Sequence, residues 1–346
     1  MTNALDLSVA QWEAVLKAAG EPAFRARQVF AWLHKGARFS QMANLPKALR
    51  ERLAAQYDDA GVVIEKRFVS ELDGTVKYLY RLCDGNFIEG VRMRYHYGDT
   101  LCVSTQVGCR MGCRFCASTL EGLARNLTAG EILGQLVAAQ AEGKINNIVL
   151  MGSGEPLDNY DNTVRFLHLL REKGGVEMSM RSVSLSTCGL VPQLRALAGE
   201  GLPVTLSVSL HAPNDAIRRQ VMPVADAYGM DALLDACRYY LEKTGRRVIF
   251  EYALIEGLNS APAHAQELAA RLRGMQCHVN LIPLNPVPER QLRGATRRTA
   301  EAFLQELTRL HISATIRREM GRDISGACGQ LRRRYLCRET ETPGGL

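Results

Sequence analysis

From residue 101 onward, strand-like and helix-like stretches alternate, and this alternation constrains the fold of the 346-residue chain more than any other feature. NNIVLMGSG reads as a strand and TVRFLHLLREKG as a helix. SVSLSTCG, PVTLSVSLHAP, RRVIFEYALIEG and HVNLIPLNP repeat the pattern, each followed by an amphipathic stretch, and ATIRREM is a last strand. EILGQLVAAQAEG supplies an earlier helix. About six βα units predict a parallel sheet or a full or partial barrel. Sites in such folds lie at the C-terminal ends of the strands. There the sequence places Gly152-Ser153-Gly154-Glu155, Ser186-Thr187, Ser209-Leu210-His211 and Asn285.

The chain before this region has other periods. Residues 1–58 predict a small helical accessory domain, with Ser8 capping the first helix and a third helix beginning at Pro46. Residues 59–98 predict a meandering antiparallel extension punctuated by Asp73-Gly74 and Asp84-Gly85. Residues 99–330 form the barrel core in this reading, and 331–346 a basic tail. A hydrophobic content of 47% supplies a sizeable core, and 23% charged residues with a net charge of +7 exclude disorder as the main state. No apolar run approaches the ~20 residues of a membrane span. The mixed, acidic N-terminus is no secretory signal, so the expected location is the cytoplasm, and a monomer is the simplest expectation. Residues 286–338 hold twelve arginines, no lysine and five acids, which makes nucleic acid a candidate partner.

Ten cysteines in a reducing compartment are not expected to form structural disulfides. Cys109, Cys113 and Cys116 make a C-x3-C-x2-C triplet on the loop after the first core strand. Three thiolates on one short loop can converge on one metal centre. A structural zinc wants four ligands, so zinc needs a distant fourth Cys or His. On a four-iron cluster three cysteines leave one iron open to a small molecule. Gly108 and Gly112 let the loop curl, and Phe115 can shield the centre. Cys83, Cys188, Cys237, Cys277 and Cys337 read as packing residues.

The triplet, with an aromatic before its last cysteine and its place after the first barrel strand, resembles the radical S-adenosylmethionine (SAM) superfamily. Five further stretches occur in order: Leu101-Cys-Val-Ser-Thr-Gln-Val-Gly-Cys109, Met151-Gly-Ser-Gly-Glu-Pro-Leu157, Ser209-Leu-His-Ala-Pro-Asn-Asp215, Ile282-Pro-Leu-Asn-Pro286 and Gly326-Ala-Cys-Gly-Gln-Leu331. Together they resemble the RlmN family of RNA adenine C2-methyltransferases, over essentially the whole chain. Ser153 departs from the Met that many members carry.

The resemblance implies a radical SAM partial (β/α)6 barrel and methylation of C2 of a specific adenine in 23S rRNA and in tRNA. It implies one [4Fe-4S] cluster on Cys109, Cys113 and Cys116, with SAM on the open iron and two SAM used per turnover. Gly154, Glu155, Ser186, Ser209, Leu210, His211 and Asn285 would contact SAM. Cys328 would carry the methyl group as S-methylcysteine, Glu89 would accept the C2 proton, and Cys102 would resolve the RNA adduct through a transient disulfide. Arg317, Arg318, Arg322 and Arg332–Arg334 would hold RNA, with help from Arg25, Arg27, Lys35 and Arg38. A flavodoxin or ferredoxin would supply electrons. The related Cfr enzymes share most of these stretches but methylate C8. A zinc-stabilised RNA-binding protein without catalysis, and a radical SAM enzyme acting on a peptide or metabolite, are the other readings.

Overall fold

The computed structural model describes residues 1–284 and 289–324. The N-terminal module contains β1 (Thr2–Asn3), α1 (Val9–Ala18), α2 (Phe24–Leu33), α3 (Lys47–Gln56) and β2 (Tyr57–Asp58), with β1 and β2 paired in parallel. Ser8 caps α1 as expected: its Oγ accepts from Gln11 N, and Gln11 Oε1 accepts from Ser8 N. Trp12, Phe30, Phe39 and Leu49 fill the space between these helices.

An antiparallel ribbon follows: β3 (Val62–Val69), β4 (Val76–Leu82) and β5 (Phe87–Tyr95). Both expected turn glycines, Gly74 and Gly85, have positive φ. The core then runs β6 (Gly98–Cys102), β7 (Gln106–Gly108), β8 (Leu123–Asn126), α4 (Ala129–Gln140), β9 (Asn147–Leu150), α5 (Tyr160–Arg171), β10 (Val183–Thr187), α6 (Val191–Gly199) and β11 (Thr205–Ser209). It continues α7 (Asp215–Val221), α8 (Val224–Ala227), α9 (Met230–Thr244), β12 (Val248–Leu254), α10 (Pro262–Leu272), β13 (Cys277–Pro283), α11 (Arg297–Arg309) and β14 (Ala314–Ile316). Among the described residues, no helix is long and apolar enough to cross a membrane.

One ten-stranded sheet carries the molecule, in the order β14-β13-β12-β11-β10-β9-β6-β5-β4-β3. From β6 to β14 every pairing is parallel, and β5, β4 and β3 extend the sheet antiparallel beyond β6. Each parallel neighbour follows its predecessor through a helical crossover, so the sheet winds in one direction and curls into an open barrel. The barrel core and the ribbon are therefore continuous through the β5–β6 ladder.

Side-chain alternation decides which sheet face is the barrel interior. Val183, Leu185, Leu206, Val208 and Phe250 are buried in the main apolar core. The alternate positions Ser184, Ser186, Thr205, Ser207 and Ser209 are small and polar. Small residues on the inner face leave room for a ligand, and large ones on the outer face pack the helices. The same alternation runs into the ribbon. Tyr80 reaches α4, where its Oη donates to Gln135 O, and Tyr78 Oη donates to Glu142 just beyond that helix, whereas Lys77, Glu89, Val91 and Met93 take the opposite face.

Two details depart from the sequence reading. TLCVSTQV predicts one strand, but the chain leaves the sheet after Cys102, and β7 pairs instead with β8. The short helices α7 and α8 fall where the sequence showed only a connection. Both departures lie at the barrel mouth.

The N-terminal module docks on α4. Gly130 N donates to Asp6 Oδ1, and a Cβ at Gly130 would stand 2.7 Å from Asp6 N and 2.9 Å from the Leu5 carbonyl carbon. Glycine in a helix ordinarily costs ~0.5–1 kcal/mol relative to alanine. Here Gly130→Ala is expected to lower stability by about 1–3 kcal/mol, because the docked chain must move aside. Denaturant unfolding of the two proteins reads this directly, and a variant as stable as wild type would contradict the docking.

Candidate functional site

The candidate site begins where β6 ends. Val103 N donates to Val149 O, and Gly152 N donates to Val103 O. Thr105 N and Gln106 N then both donate to Ser153 O, so the glycine loop after β9 lies against this extended segment. The approach is close enough to exclude side chains: a Cβ at Gly152 would lie 2.6 Å from Val103 O. Ser104 joins three elements. Its Oγ donates to Glu89 O on β5 and accepts from Ser153 N, and its backbone N–H and C=O both meet the Gln135 side-chain amide.

β7 delivers the cysteine loop. Gly108 has φ +79°, and a Cβ there would fall 2.0 Å from Gly122 O, so only glycine fits. Cys109 N closes the loop by donating to the same carbonyl. The loop is then tied to the neighbouring strand end. Arg110 forks onto Asp158, Gln106 Nε2 donates to Asp158 Oδ2 and Asn126 Oδ1, and Glu155 N donates to Gln106 Oε1.

Cys109, Cys113 and Cys116 line one cavity of about 280 Å³ together with Gly154, Glu155, Ser186, Ser209 and His211. Burial pushes the Cys109 thiol up to about 12. Burial raises Cys113 too, and the neighbouring Cys116 and Cys109 raise it further. Metal ligation requires thiolates. Two buried thiols and the half-buried Cys116, whose charges disfavour one another as thiolates, fit a cationic iron–sulfur core, which compensates their charge. Among the described residues, no group of three Cys, His, Asp or Glu side chains gathers tightly enough for a single metal ion.

Glu155 is buried, and burial raises its carboxyl against the opposing pull of hydrogen bonds. Cys188 N donates to Oε2 at 2.7 Å and Leu157 N to Oε1 at 3.0 Å. This anchors an acidic acceptor in the cavity wall, suited to an ammonium group. His211 has a left-handed backbone, φ 54°, and its Nδ1 accepts from Ala253 N. Burial, with a smaller contribution from the Arg218 charge, lowers its pKa to about 3. The imidazole is therefore neutral and protonated at Nε2, a donor on the cavity wall, with the Phe115 ring edge-on at 4.6 Å.

The other expected residues divide. Leu210 does not line the cavity: its side chain is in the core, and its N–H goes to Glu251 O. Glu89 and Cys102 sit side by side on the inner sheet face, since Val91 pairs with Cys102 and Glu89 is two residues on. Cys102 packs with Val91, Met93 and Met151, and Met151 also lines the cavity. Glu89 Oε2 meets Lys77 Nζ at 2.9 Å, both buried. Arg317 lies on the cavity wall. Arg25 and Arg38 of the N-terminal module pair with Glu21 and Asp59. Asn285, Cys328, Cys337 and Arg332–Arg334 lie outside the described residues.

The sequence reading missed Gln106, Gln135, Arg218 and Glu251. Glu251 faces the cavity, its carboxyl raised by burial, and accepts from Asn280 Nδ2 at 2.8 Å. Its signal was an acid inside an apolar β-branched and aromatic strand.

Comparison with known proteins gives a consistent result. Residues 2–58 match the ribosomal RNA large subunit methyltransferase N-terminal domain, and residues 103–269 the radical SAM superfamily. The chain is 52% identical over 335 residues to an Alkaliphilus oremlandii protein named "Probable dual-specificity RNA methyltransferase RlmN", covering 96% of this chain and 98% of that one. A Lachnoclostridium phytofermentans protein of the same name is 51% identical, covering 95% and 94%. A crystal structure of a radical SAM methyltransferase from Sphaerobacter thermophilus superposes with a TM-score of 0.92 at 44% identity, covering 95% of this chain and 99% of that one.

Neutral, buried His211 has a consequence for stability. Its folded pKa of about 3 lies below the 6.5 of a free imidazole. On acidification through that window the unfolded chain takes up a proton that the folded chain refuses. Stability present above pH 6.5 is therefore lost as pH falls. Between pH 7 and about pH 4.5, wild type should lose about 3 kcal/mol more than His211→Gln, read from urea midpoints. Equal losses would mean that the imidazole is not held neutral.

Proposed function

Because this chain belongs to the RlmN family of radical SAM RNA methyltransferases, we propose that it methylates C2 of a specific adenine in 23S rRNA, and of an adenine in tRNA, with Cys328 as methyl carrier. Membership of the family brings SAM and a [4Fe-4S] cluster. The observation that carries the reading is the arrangement around the cavity. The three thiols of the cysteine loop face the glycine-loop carboxylate of Glu155, while Cys102 and Glu89 occupy the adjoining inner sheet face.

Adenine C2 carries no lone pair, so a simple displacement on the SAM methyl group cannot alkylate it. Cys109, Cys113 and Cys116 would hold the cluster, which would supply the electron for reductive cleavage of SAM. Glu155 takes the SAM ammonium, on the acceptor oxygens that Cys188 and Leu157 hold in place. His211 Nε2–H and the hydroxyls of Ser186 and Ser209 serve as donors to the remaining polar edges, with Asn285. Phe115 excludes water from the cysteine loop.

Cys328 accepts a methyl group from a first SAM. The S-methyl group of Cys328 would give up a hydrogen atom to the 5′-deoxyadenosyl group released from a second SAM, its carbon would bond to C2, and the odd electron of the adduct would pass back to the redox centre as C2 loses its proton. Glu89 accepts the proton from C2, with Lys77 Nζ 2.9 Å from its carboxylate. Cys102 would attack the Cys328 sulfur and break its bond to the methylene carbon, which keeps the electron pair and takes up a proton to become the methyl group; methylated RNA is released and the disulfide is left for an external reductant. Arg317, at the cavity wall, with Arg318, Arg322 and Arg332–Arg334, holds RNA phosphates while the base is turned out of its stack. A flavodoxin or ferredoxin serves as the electron donor of a cytoplasmic, monomeric enzyme.

The test is anaerobic reconstitution with methyl-labelled SAM, a reductant and rRNA or tRNA lacking the modification, followed by mass spectrometry of the RNA and of the Cys328 peptide. Label on Cys328 and at C2 is the expected result. Label at C8 would keep the chemistry and move the regiochemistry to that of the Cfr enzymes. A colourless protein holding one zinc and cleaving no SAM would overturn the reading. Cys328→Ala should abolish methyl transfer. Cys102→Ala should accumulate a covalent protein–RNA adduct, visible as a shifted band on a denaturing gel.

A further inference from the structure

Arg218 carries a buried charge that makes no ion pair among the described residues, and Asp215 on the same helix favours it only through its field. It lies on α7, and its side chain has no solvent exposure. The guanidinium donates to backbone carbonyls only: Cys188 O at 2.7 Å, with Leu210 O and Ser209 O at 3.3 Å. Nη1 has no hydrogen-bond acceptor among the described residues, and no ion pair there involves Arg218. Asp215, on the same helix, is turned to Met230 N. An arginine stays charged in proteins, and a charge taken out of water without an opposite charge is costly. A group of this kind calls for an anion that arrives with a ligand.

The surroundings say which anion. Helices α7 and α8 form the bed of the cysteine loop. Val221, Met222 and Val224 pack with Cys113 and Cys188, and Met111, Phe115 and Cys116 pack against them. Arg114 N donates to Val221 O at 2.9 Å and fixes the loop to the C-terminal end of α7. Arg218 is not on the cavity wall that Cys109, Cys113 and Cys116 line, so it does not touch a molecule bound in the cavity. It acts through the field. The carboxylate linked to it through hydrogen bonds is Glu155, by way of Cys188, and the reading above gives Glu155 to the SAM amine.

We propose that Arg218 is the buried countercharge of the iron–sulfur cluster on Cys109, Cys113 and Cys116, and that it makes the cluster easier to reduce. The proposal rests on the cluster assignment above. An oxidised four-iron core with three thiolates carries a charge of minus one. One electron from a low-potential donor takes it to minus two, with no proton moved and no bond broken. A fixed cation nearby favours the more negative state, which is how burial and local charge tune such potentials. Arg218 is a positioning residue in this sense: it sets a potential and holds no substrate.

The test is the midpoint potential of the reconstituted cluster, titrated anaerobically with dithionite and read by electron paramagnetic resonance, in wild type, Arg218→Gln and Arg218→Lys. Arg218→Gln should lower the reduction equilibrium constant at least tenfold, a fall of about 59 mV for a one-electron couple. Arg218→Lys keeps the charge and should stay near wild type at neutral pH. Its midpoint should then fall at alkaline pH, where a buried ammonium loses its proton, beyond any change wild type shows over the same range. A purely structural staple moves stability and leaves the potential alone. Arg218→Gln with a full iron complement and an unmoved midpoint would overturn the proposal. Where Arg218→Gln does not fold, an Arg218→Lys midpoint that tracks wild type into alkaline pH overturns it equally. Wild type that binds no cluster would instead sink the cluster assignment itself.

Discussion

The barrel mouth depends on one stretch of extended backbone, Val103–Gln106, where the chain leaves the sheet. After Val103 N, which still donates to Val149 O of β9, its N–H and C=O groups no longer follow the β6 ladder, and buried backbone groups must still be paired. The pairing is supplied by the elements that make the site: the glycine loop at Gly152 and Ser153, the Gln135 amide of α4, and Leu127 N, which donates to Thr105 O. The Ser104 hydroxyl adds β5 at Glu89 O. The cysteine loop, the acidic loop and the inner face of the ribbon are thus held in register by the needs of four residues. Glycines at 152 and 154 are part of the same constraint, since a Cβ on either would collide with this segment.

Charge at the mouth is arranged in depth. Glu155 and Glu251 are acids raised by burial on the cavity wall, His211 is held neutral, Arg218 lies behind the wall, and Lys77 with Glu89 forms a buried pair on the adjoining sheet. Burial of this many ionisable groups costs stability. Local networks offset part of that cost: Glu155 by two backbone N–H groups, Arg218 by three carbonyls, Glu251 by Asn280. Such clustering of perturbed groups around one cavity is what a site that handles charged ligands requires.

Much of the fold was legible residue by residue. Ser8 announced α1 through its capping box, Asp73-Gly74 and Asp84-Gly85 announced the ribbon turns, and the apolar runs of β9 to β14 announced a parallel sheet. Gly108 and Gly112 read as loop glycines, and both have positive φ. These signals are local, acting within a few residues. What stayed hidden depends on distant contacts. Nothing near Cys102 signals that β6 ends there, because the departure is enforced by Gln135 and Ser153, far along the chain. Leu210 looked like a ligand contact because it lies between Ser209 and His211, yet strand alternation turns its side chain into the core.

The sequence by itself determined the βα order, the cysteine spacing that confines three thiols to one loop, and the ribbon turns at Gly74 and Gly85. Each is fixed by covalent neighbourhood, by side-chain periodicity or by backbone sterics. Tertiary structure alone decided that the ribbon joins the barrel sheet, that Cys102 and Glu89 share its inner face, and that Arg218 lies buried beneath the cysteine loop. Those facts depend on register between strands and on which groups burial strips of water. Register and desolvation come into being only when segments far apart in the chain pack together.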